Sequence, residues 1–228
     1  MKFTYNFERT EEKYLISISQ QQLLLEQCQI HLEEDEFKDF IVHNIYYDTL
    51  NDYLLRHSIS KTDFKEKLRL RGYNTLEYIF LEKKIKFEGT VYKRRVKVQL
   101  DNITHLPIIK SSNNQIENEM VHFVQRYHPL PKYYIGYRRV AYKGLNEKNL
   151  RLTFDTNITY RFDNLDIRYG LHGQKLIDSD QVVMEIKTSD GIPLWLVKTL
   201  NQLKIYPTSY SKVGNIYMKE IIKKGDTL

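Results

Sequence analysis

The sequence predicts one α+β domain built from long strands with helices between them. Three observations carry this. Period-2 alternation of apolar and polar residues, the mark of a strand with one buried face, recurs in seven segments. Between those segments apolar residues return at helical spacing, behind residues that favour helix starts. The 228 residues include 18 Tyr and 10 Phe but only 9 Gly and 5 Pro. Aromatic side chains suit half-buried pleated surfaces, and scarce breakers leave elements long.

The first strand is expected over 3–18 (FTYNFERTEEKYLISI), followed by a helix over 19–32 with Ser19 as its N-cap and a second helix over 48–57 after Asp48. Strands are expected over 63–73, 76–87 and 90–100. Lys110-Ser111-Ser112-Asn113-Asn114 is the one linker-like stretch, and the helix over 114–127 sets Ile116, Met120, Phe123, Val124 and Tyr127 on one side. Strands over 133–143, 150–162 and 181–188 come next, then a helix over 192–204 with Pro193 near its first turn, where a missing N–H costs nothing. A last helix is expected over about 211–223. Neither repeats nor low-complexity segments interrupt the chain, so 1–228 is read as a single domain.

Composition narrows the function classes. Hydrophobic residues at 41% and charged residues at 28% can build a packed core and exclude wholesale disorder. No run approaches the roughly 18 apolar residues of a membrane span, and charges stand where a secretory signal needs its apolar stretch. Cys28 is the only cysteine, which excludes an internal disulfide and a cysteine-built zinc cluster, so the expected compartment is the cytoplasm. A net charge of +6 and a pI near 9.1 suit a polyanionic partner.

Sorting each strand by face sharpens that point. In 150–162 the even positions are Leu150, Leu152, Phe154, Thr156, Ile158 and Tyr160, and the odd ones Arg151, Thr153, Asp155, Asn157, Thr159 and Arg161. The polar faces of the other strands carry Arg9, Glu11 and Lys13; Lys65, Lys67, Arg69 and Arg71; Glu82, Lys84 and Lys86; Lys93, Arg95 and Lys97; Tyr137, Arg139 and Lys143; Glu185 and Lys187. A single charged strand of this kind is ordinarily a solvated face. A solvated sheet intersperses signs, however, because like charges directly opposite across strands repel. So strong a bias over all seven strands calls for an anion. The alternative to solvated faces is a closed barrel with a cationic interior, its apolar faces, including Leu68, Leu70, Leu152, Phe154, Met184 and Ile186, covered by the helices.

Such an interior suits a string of phosphates, which guanidinium groups grip in bidentate fashion. The few carboxylates among the cations point to a divalent ion held together with phosphate, since magnesium and manganese take one or two protein carboxylates plus substrate oxygens. Glu185 is the first candidate ligand and Glu11 the second, with cross-strand ion pairing as the competing role for both. Glu82 is read as orienting cations.

Arg9-x-Glu11-x-Lys13-Tyr14, Lys67-Leu-Arg69-Leu-Arg71, Leu81-Glu82-Lys83-Lys84, Tyr137-Arg138-Arg139, Arg151-Leu-Thr-Phe-Asp155, Met184-Glu185-Ile-Lys187 and Tyr210-Ser211-Lys212 follow the order found in VTC domains. The chain from about residue 5 to 220 resembles these members of the triphosphate tunnel metalloenzymes, relatives of the CYTH proteins. The resemblance implies an antiparallel, roughly eight-stranded closed tunnel with helices outside. It implies polyphosphate synthesis from ATP, with inorganic polyphosphate as acceptor and manganese or magnesium as cofactor. Carried over by motif position, Lys13, Arg69, Arg71, Lys84, Arg139, Arg151 and Lys187 are catalytic phosphate holders. Arg9, Lys67 and Arg95 join them in binding substrate, Tyr137 bonds a phosphate oxygen, Lys212 closes one tunnel mouth, and Glu185 with Glu11 holds the metal. One departure favours the polymerase: many hydrolytic CYTH relatives begin Glu-x-Glu-x-Lys, and here Arg9 stands at the first glutamate.

Two alternatives stay open at this level. One is a metal-dependent tripolyphosphate or nucleoside-triphosphate hydrolase, which differs only in whether water or phosphate reaches the γ-phosphorus. The other is a non-catalytic polyanion or RNA-binding module. Against it, the tyrosines sit within strands beside apolar residues and a closed tunnel excludes a duplex, so no nucleic acid is expected as partner. His31, His43, His57, His105, His122, His128 and His172 are scattered and are read as surface or packing residues. The sequence leaves a separate membrane partner open.

Overall fold

The computed structural model describes residues 10–60, 62–74, 76–77, 79–88, 90–99 and 113–220. In chain order these form β1 (Thr10–Ser17), α1 (Ile18–Cys28), β2 (Leu32–Asp48), α2 (Tyr53–Ile59), β3 (Phe64–Tyr73), β4 (Ile79–Phe87) and β5 (Thr90–Val98). There follow α3 (Gln115–Tyr127), β6 (Leu130–Gly144), β7 (Arg151–Arg161), a 3-10 turn (Ile167–Tyr169), β8 (Gln174–Lys175), β9 (Gln181–Thr188), α4 (Leu194–Gln202) and α5 (Lys212–Glu220). The hydrogen-bonded order is β1-β9-β7-β6-β2-β3-β4-β5, with β8 pairing β7, and the ladders whose register is fixed are antiparallel. The expected α+β architecture, antiparallel and of roughly eight strands, is therefore present. Among the described residues the ladders form an open series ending at β1 and β5.

The seven alternating segments all hold strands, and the five helices fall where helical spacing placed them, with boundaries shifted by a few residues. The expected N-cap Ser19 is corrected to Ser17. Ser17 Oγ accepts from Gln20 N at 3.1 Å while Gln20 Oε1 accepts from Ser17 N at 3.0 Å, a capping box that satisfies two orphan donors. The helix expected from residue 48 begins instead at Tyr53, because Asp48 ends β2. Its carboxylate still caps that helix at a distance, accepting from Leu54 N at 2.8 Å and Leu55 N at 2.7 Å. Pro193 is the N-cap of α4, and Asn114 caps α3 by accepting from Ile116 N at 2.9 Å.

The described residues gather into two compact units. One contains the chain to Phe40, Arg138–Asn157 and Ile177–Lys212; the other contains Ile41–Tyr137, Ile158–Leu176 and the chain from Val213. In the first, Tyr14, Ile16, Leu152, Phe154, Met184 and Ile186 from the strands pack on Leu24 and Cys28 of α1 and Leu196 and Leu200 of α4. In the second, Ile45, Leu68, Leu70 and Leu81 pack on Leu54 of α2 and on Met120 and Phe123 of α3. Each such side chain contributes about 1.5–3 kcal/mol on burial. In each unit the helices cover the apolar face of the strands, as the barrel alternative required, and the charged residues are left on the other face. No helix among the described residues is long and apolar enough to cross a membrane.

Arg161 departs from its place on the cationic face. It is buried, lies 3.5 Å over the Tyr134 ring and donates to the carbonyls of Asn164, Asp166, Gly170 and His172, pinning that loop to the end of β7. Tyr134 Oη in turn bonds His43 Nδ1 at 2.6 Å. Burial, with Arg161's charge behind it, holds the His43 imidazole down at about 4. A folded-state value below the unfolded one, about 6.5, means stability present above pH 6.5 and lost as pH falls toward 4. Between pH 7 and pH 5 the wild type should lose about 1–2 kcal/mol of unfolding free energy more than His43→Gln does. Equal pH slopes in urea unfolding of the two proteins would remove His43 from this role.

Candidate functional site

In the unit built on β3, β4 and β5, the register sets the charged residues in rows. Glu82 lies directly between Arg69 and Arg95 across three strands, and Lys84 lies between Lys67 and Lys93. Arg69 Nη2 and Nε reach Glu82 Oε2 at 2.7 and 2.8 Å, Arg95 Nε donates to Oε1 at 2.8 Å, and Arg71 Nε stands 3.7 Å away. Burial alone would raise the Glu82 carboxyl, and the charges of Arg69, Arg71 and Arg95 overcome it and hold it at about 2. Glu82 thus orients the arginines, as expected. This register also settles the face of β5: Arg95 and Lys97 share the face of Arg69 and Arg71. In the next row, the lysines Lys67, Lys84 and Lys93 stand opposite one another.

Strand β2 adds two residues to this cluster that sequence reading assigned no place. Arg71 Nε donates to Asn44 Oδ1 at 2.8 Å and its Nη2 to Tyr137 Oη at 3.3 Å, while Arg69 Nη1 donates to Tyr46 Oη at 3.1 Å. Asn44 is itself fixed by donating to the Ile135 carbonyl, and Tyr46 stacks on Tyr133 with ring centroids 5.3 Å apart. Burial would raise the Tyr46 hydroxyl, but Arg69, Arg71 and Lys67 bring it down to about 8.

The other unit holds a second cluster. Across β1, β9 and β7 the rows read Glu11–Lys187–Arg151 and Lys13–Glu185–Thr153. Asp155, fully buried, takes Arg139 through Nε at 2.6 Å and Nη2 at 2.7 Å and Lys212 Nζ at 2.6 Å. Glu185 Oε2 accepts from Lys187 Nζ at 3.0 Å and lies 3.5 Å from Arg139 Nη2, while its Oε1 is 3.9 Å from Lys212 Nζ. Burial opposes ionisation of both carboxyls. Arg139 and Lys212 nonetheless keep Asp155 lowered, and Arg139, Lys187, Lys212 and Lys13 keep Glu185 well below the usual range. Lys13 Nζ is 3.6 Å from Glu11 Oε1, and Arg151 Nε pairs with Asp35 Oδ2 at 3.0 Å with its side chain 45% exposed.

The sequence-predicted site residues therefore fall into two groups, each held by its own strands. Lys67, Arg69, Arg71, Lys84, Arg95 and Tyr137 belong to the first; Glu11, Lys13, Arg139, Arg151, Glu185, Lys187 and Lys212 to the second. Arg9 lies outside the described residues. Among the described residues no three His, Cys, Asp or Glu side chains converge as a metal cage. Sequence reading gave Asp155 no role and missed Asn44 and Tyr46. The signal for the last two was faint: polar residues two apart inside the apolar run Ile41–Tyr47.

A family model described as the VTC domain matches residues 8–219. Comparison with curated proteins gives no match. Among solved structures, the chain resembles a candidate adenylyl cyclase from Hippeastrum, described as having a dominant triphosphatase activity. That match has 18% identity and a TM-score of 0.53 and covers 96% of each chain. A candidate adenylate cyclase from Bacillus halodurans has 12% identity and a TM-score of 0.54, over 88% of this chain and 92% of that one. One from Vibrio parahaemolyticus has 11% identity and a TM-score of 0.52, over 91% and 97%. At such identities the likeness is one of fold.

Proposed function

The chain belongs to the VTC domain family, and from that premise we propose that it is a polyphosphate polymerase, transferring the γ-phosphoryl group of ATP to the end of an inorganic polyphosphate chain. The observation that carries this reading is the clamp on Glu82, where Arg69, Arg71 and Arg95 gather about a single carboxylate. Three guanidinium groups on one carboxylate leave positive charge over, which a phosphate chain neutralises.

In this reading Lys67, Arg69, Arg71, Lys84, Arg95 and Tyr137 hold phosphate oxygens at one cluster, and Lys13, Arg139, Arg151, Lys187 and Lys212 hold them at the other. A terminal phosphate oxygen of the acceptor attacks the γ-phosphorus, the bond between that phosphorus and the β–γ bridging oxygen breaks, and ADP leaves with the electron pair. The protein forms no covalent bond. It positions the two phosphates and meets the charge that spreads over the equatorial oxygens with fixed guanidinium and ammonium groups. Arg139 is fixed for this by its two bonds to Asp155, and Arg71 by Asn44.

The residues present fit a hard divalent cation bound together with phosphate. Glu11 and Glu185 stand diagonally across the β1·β9 ladder and are the carboxylates that would supply the one or two protein oxygens such an ion takes. Asp155 has both oxygens engaged by Arg139 and Lys212 and is not counted as a ligand. When bound, manganese or magnesium would neutralise phosphate charge as a Lewis acid.

The test is to incubate the purified protein with ATP and manganese and to resolve the products by size. Long polyphosphate accumulating with ADP is the expected result. Orthophosphate alone would make the chain a triphosphate hydrolase, and no ATP turnover would leave a polyanion-binding module.

A further inference from the structure

Thr153 stands in the middle of the second cluster, directly opposite Glu185 and in one row with Lys13. It is 1% exposed, and its hydroxyl is buried with no hydrogen-bond partner. Such an orphan is costly: a buried hydroxyl that gave up water and gained nothing carries a desolvation penalty on the order of 1–3 kcal/mol. An isosteric valine would avoid it. Strands β7 and β9 bury valine, methionine and isoleucine freely on their other face, so the fold has no need of a hydroxyl here for its own sake. Of the other hydroxyls in this condition, one lies in the same cluster. Tyr210 Oη is buried without a partner and within the field of Lys212 and Asp155.

From this placement we propose that Thr153 is a phosphate-binding residue, its Oγ–H donating to a phosphate oxygen of the bound chain beside Lys13, Lys187 and Arg139. The inference rests on the phosphate-handling reading above and adds a neutral donor to the second cluster, whose other phosphate holders are all charged. The cations of the cluster define the partner: Lys13 shares its row, Lys187 lies diagonally across the β7·β9 ladder and Arg139 is bound to Asp155 two residues along β7, and cations so placed draw in an anionic oxygen. A neutral O–H discriminates by direction where ammonium groups discriminate mainly by charge, so Thr153 fixes the register of phosphates along the row.

The experiment compares thermal unfolding of the wild type, Thr153→Val and Thr153→Ser, each with and without tripolyphosphate. A purely structural threonine and a ligand-binding one give opposite signatures. Without ligand, Thr153→Val should melt at or a few degrees above the wild type, because the unpaired hydroxyl is gone. With tripolyphosphate its stabilisation should shrink, corresponding to about tenfold weaker binding, and Thr153→Ser should recover the wild-type response. If the wild type responds and Thr153→Val responds equally, the inference falls alone. If the wild type does not respond to tripolyphosphate, the phosphate reading falls and the inference with it. A Thr153→Val protein that melts far lower without ligand would assign the hydroxyl a structural partner and overturn the proposal as well.

Discussion

Arg71→Ala is expected to lower ATP turnover by about 10²–10³-fold, the loss that follows removal of one fixed donor from a site that stabilises developing charge. The fold should hold. Arg71 bonds Asn44 and Tyr137 but stands 3.7 Å from Glu82, so its removal leaves the tighter Arg69–Glu82–Arg95 clamp intact. Losing the hydrogen bonds to Asn44 and Tyr137 costs about 1 kcal/mol each, or roughly 4–8 °C together in a chain of this size. Arg69→Ala should lose comparable activity with a larger drop in melting temperature, since it removes both guanidinium contacts to Oε2 of a buried carboxylate. Steady-state turnover and thermal melts of both variants check the pair of expectations. Wild-type turnover by Arg71→Ala would mean that this face of β3 does not meet the phosphates.

Glu185→Gln should abolish metal-dependent turnover, a loss of about 10³-fold or more if the ion supplies several kcal/mol of charge stabilisation. Binding of tripolyphosphate without metal should survive, because Lys13, Arg139, Lys187 and Lys212 remain. The free protein should melt lower. Those cations hold Glu185 ionised against its burial, and neutralising it leaves Arg139 and Lys212 to share Asp155 while Lys187 loses its 3.0 Å partner. Manganese titrations of turnover, run beside binding measurements in chelator, separate the two effects. Full activity at ordinary manganese concentration would move the ion to Glu11 or to phosphate oxygens alone.

Alternation made much of this structure legible in advance, and its failures have identifiable causes. Strands β3, β7 and β9 were readable because one face packs on helices and the other carries charge. Strand β2, 17 residues long, was not. From Glu33 to Asp39 it is exposed or half-exposed on both faces, and from Val42 to Asp48 it is buried on both, so neither half alternates. With β2 went Asn44 and Tyr46, the residues that fix Arg71 and Arg69. The cations were visible as residues on a face, but their partners were not. Asp155 gathers Arg139 from β6 and Lys212 from the start of α5, a convergence of segments far apart in the chain that no local period records. Arg161 was misplaced for the opposite reason. As the last residue of β7 it turns from the ladder to the loop carbonyls beside it, and face counting ceases to apply at a strand end.

Strand β5 ends the ladder order, pairing β4 on one side only among the described residues, and its exposed positions include Thr90, Val91, Lys93, Arg95 and Lys97. An unpaired strand edge is a template for another copy of itself, and lysines along it keep copies apart by repulsion. Here one of the cations that ward off self-association, Arg95, is also among those proposed to hold phosphate. Occupancy by a polyanion cancels that repulsion, so colloidal behaviour follows ligand load: the bare protein disperses best, and a long phosphate chain that outreaches one molecule draws a second onto it. Concentrated preparations will then cloud as polyphosphate nears charge equivalence and clear again in excess, a re-entrant turbidity that short phosphates, unable to reach two molecules at once, do not produce.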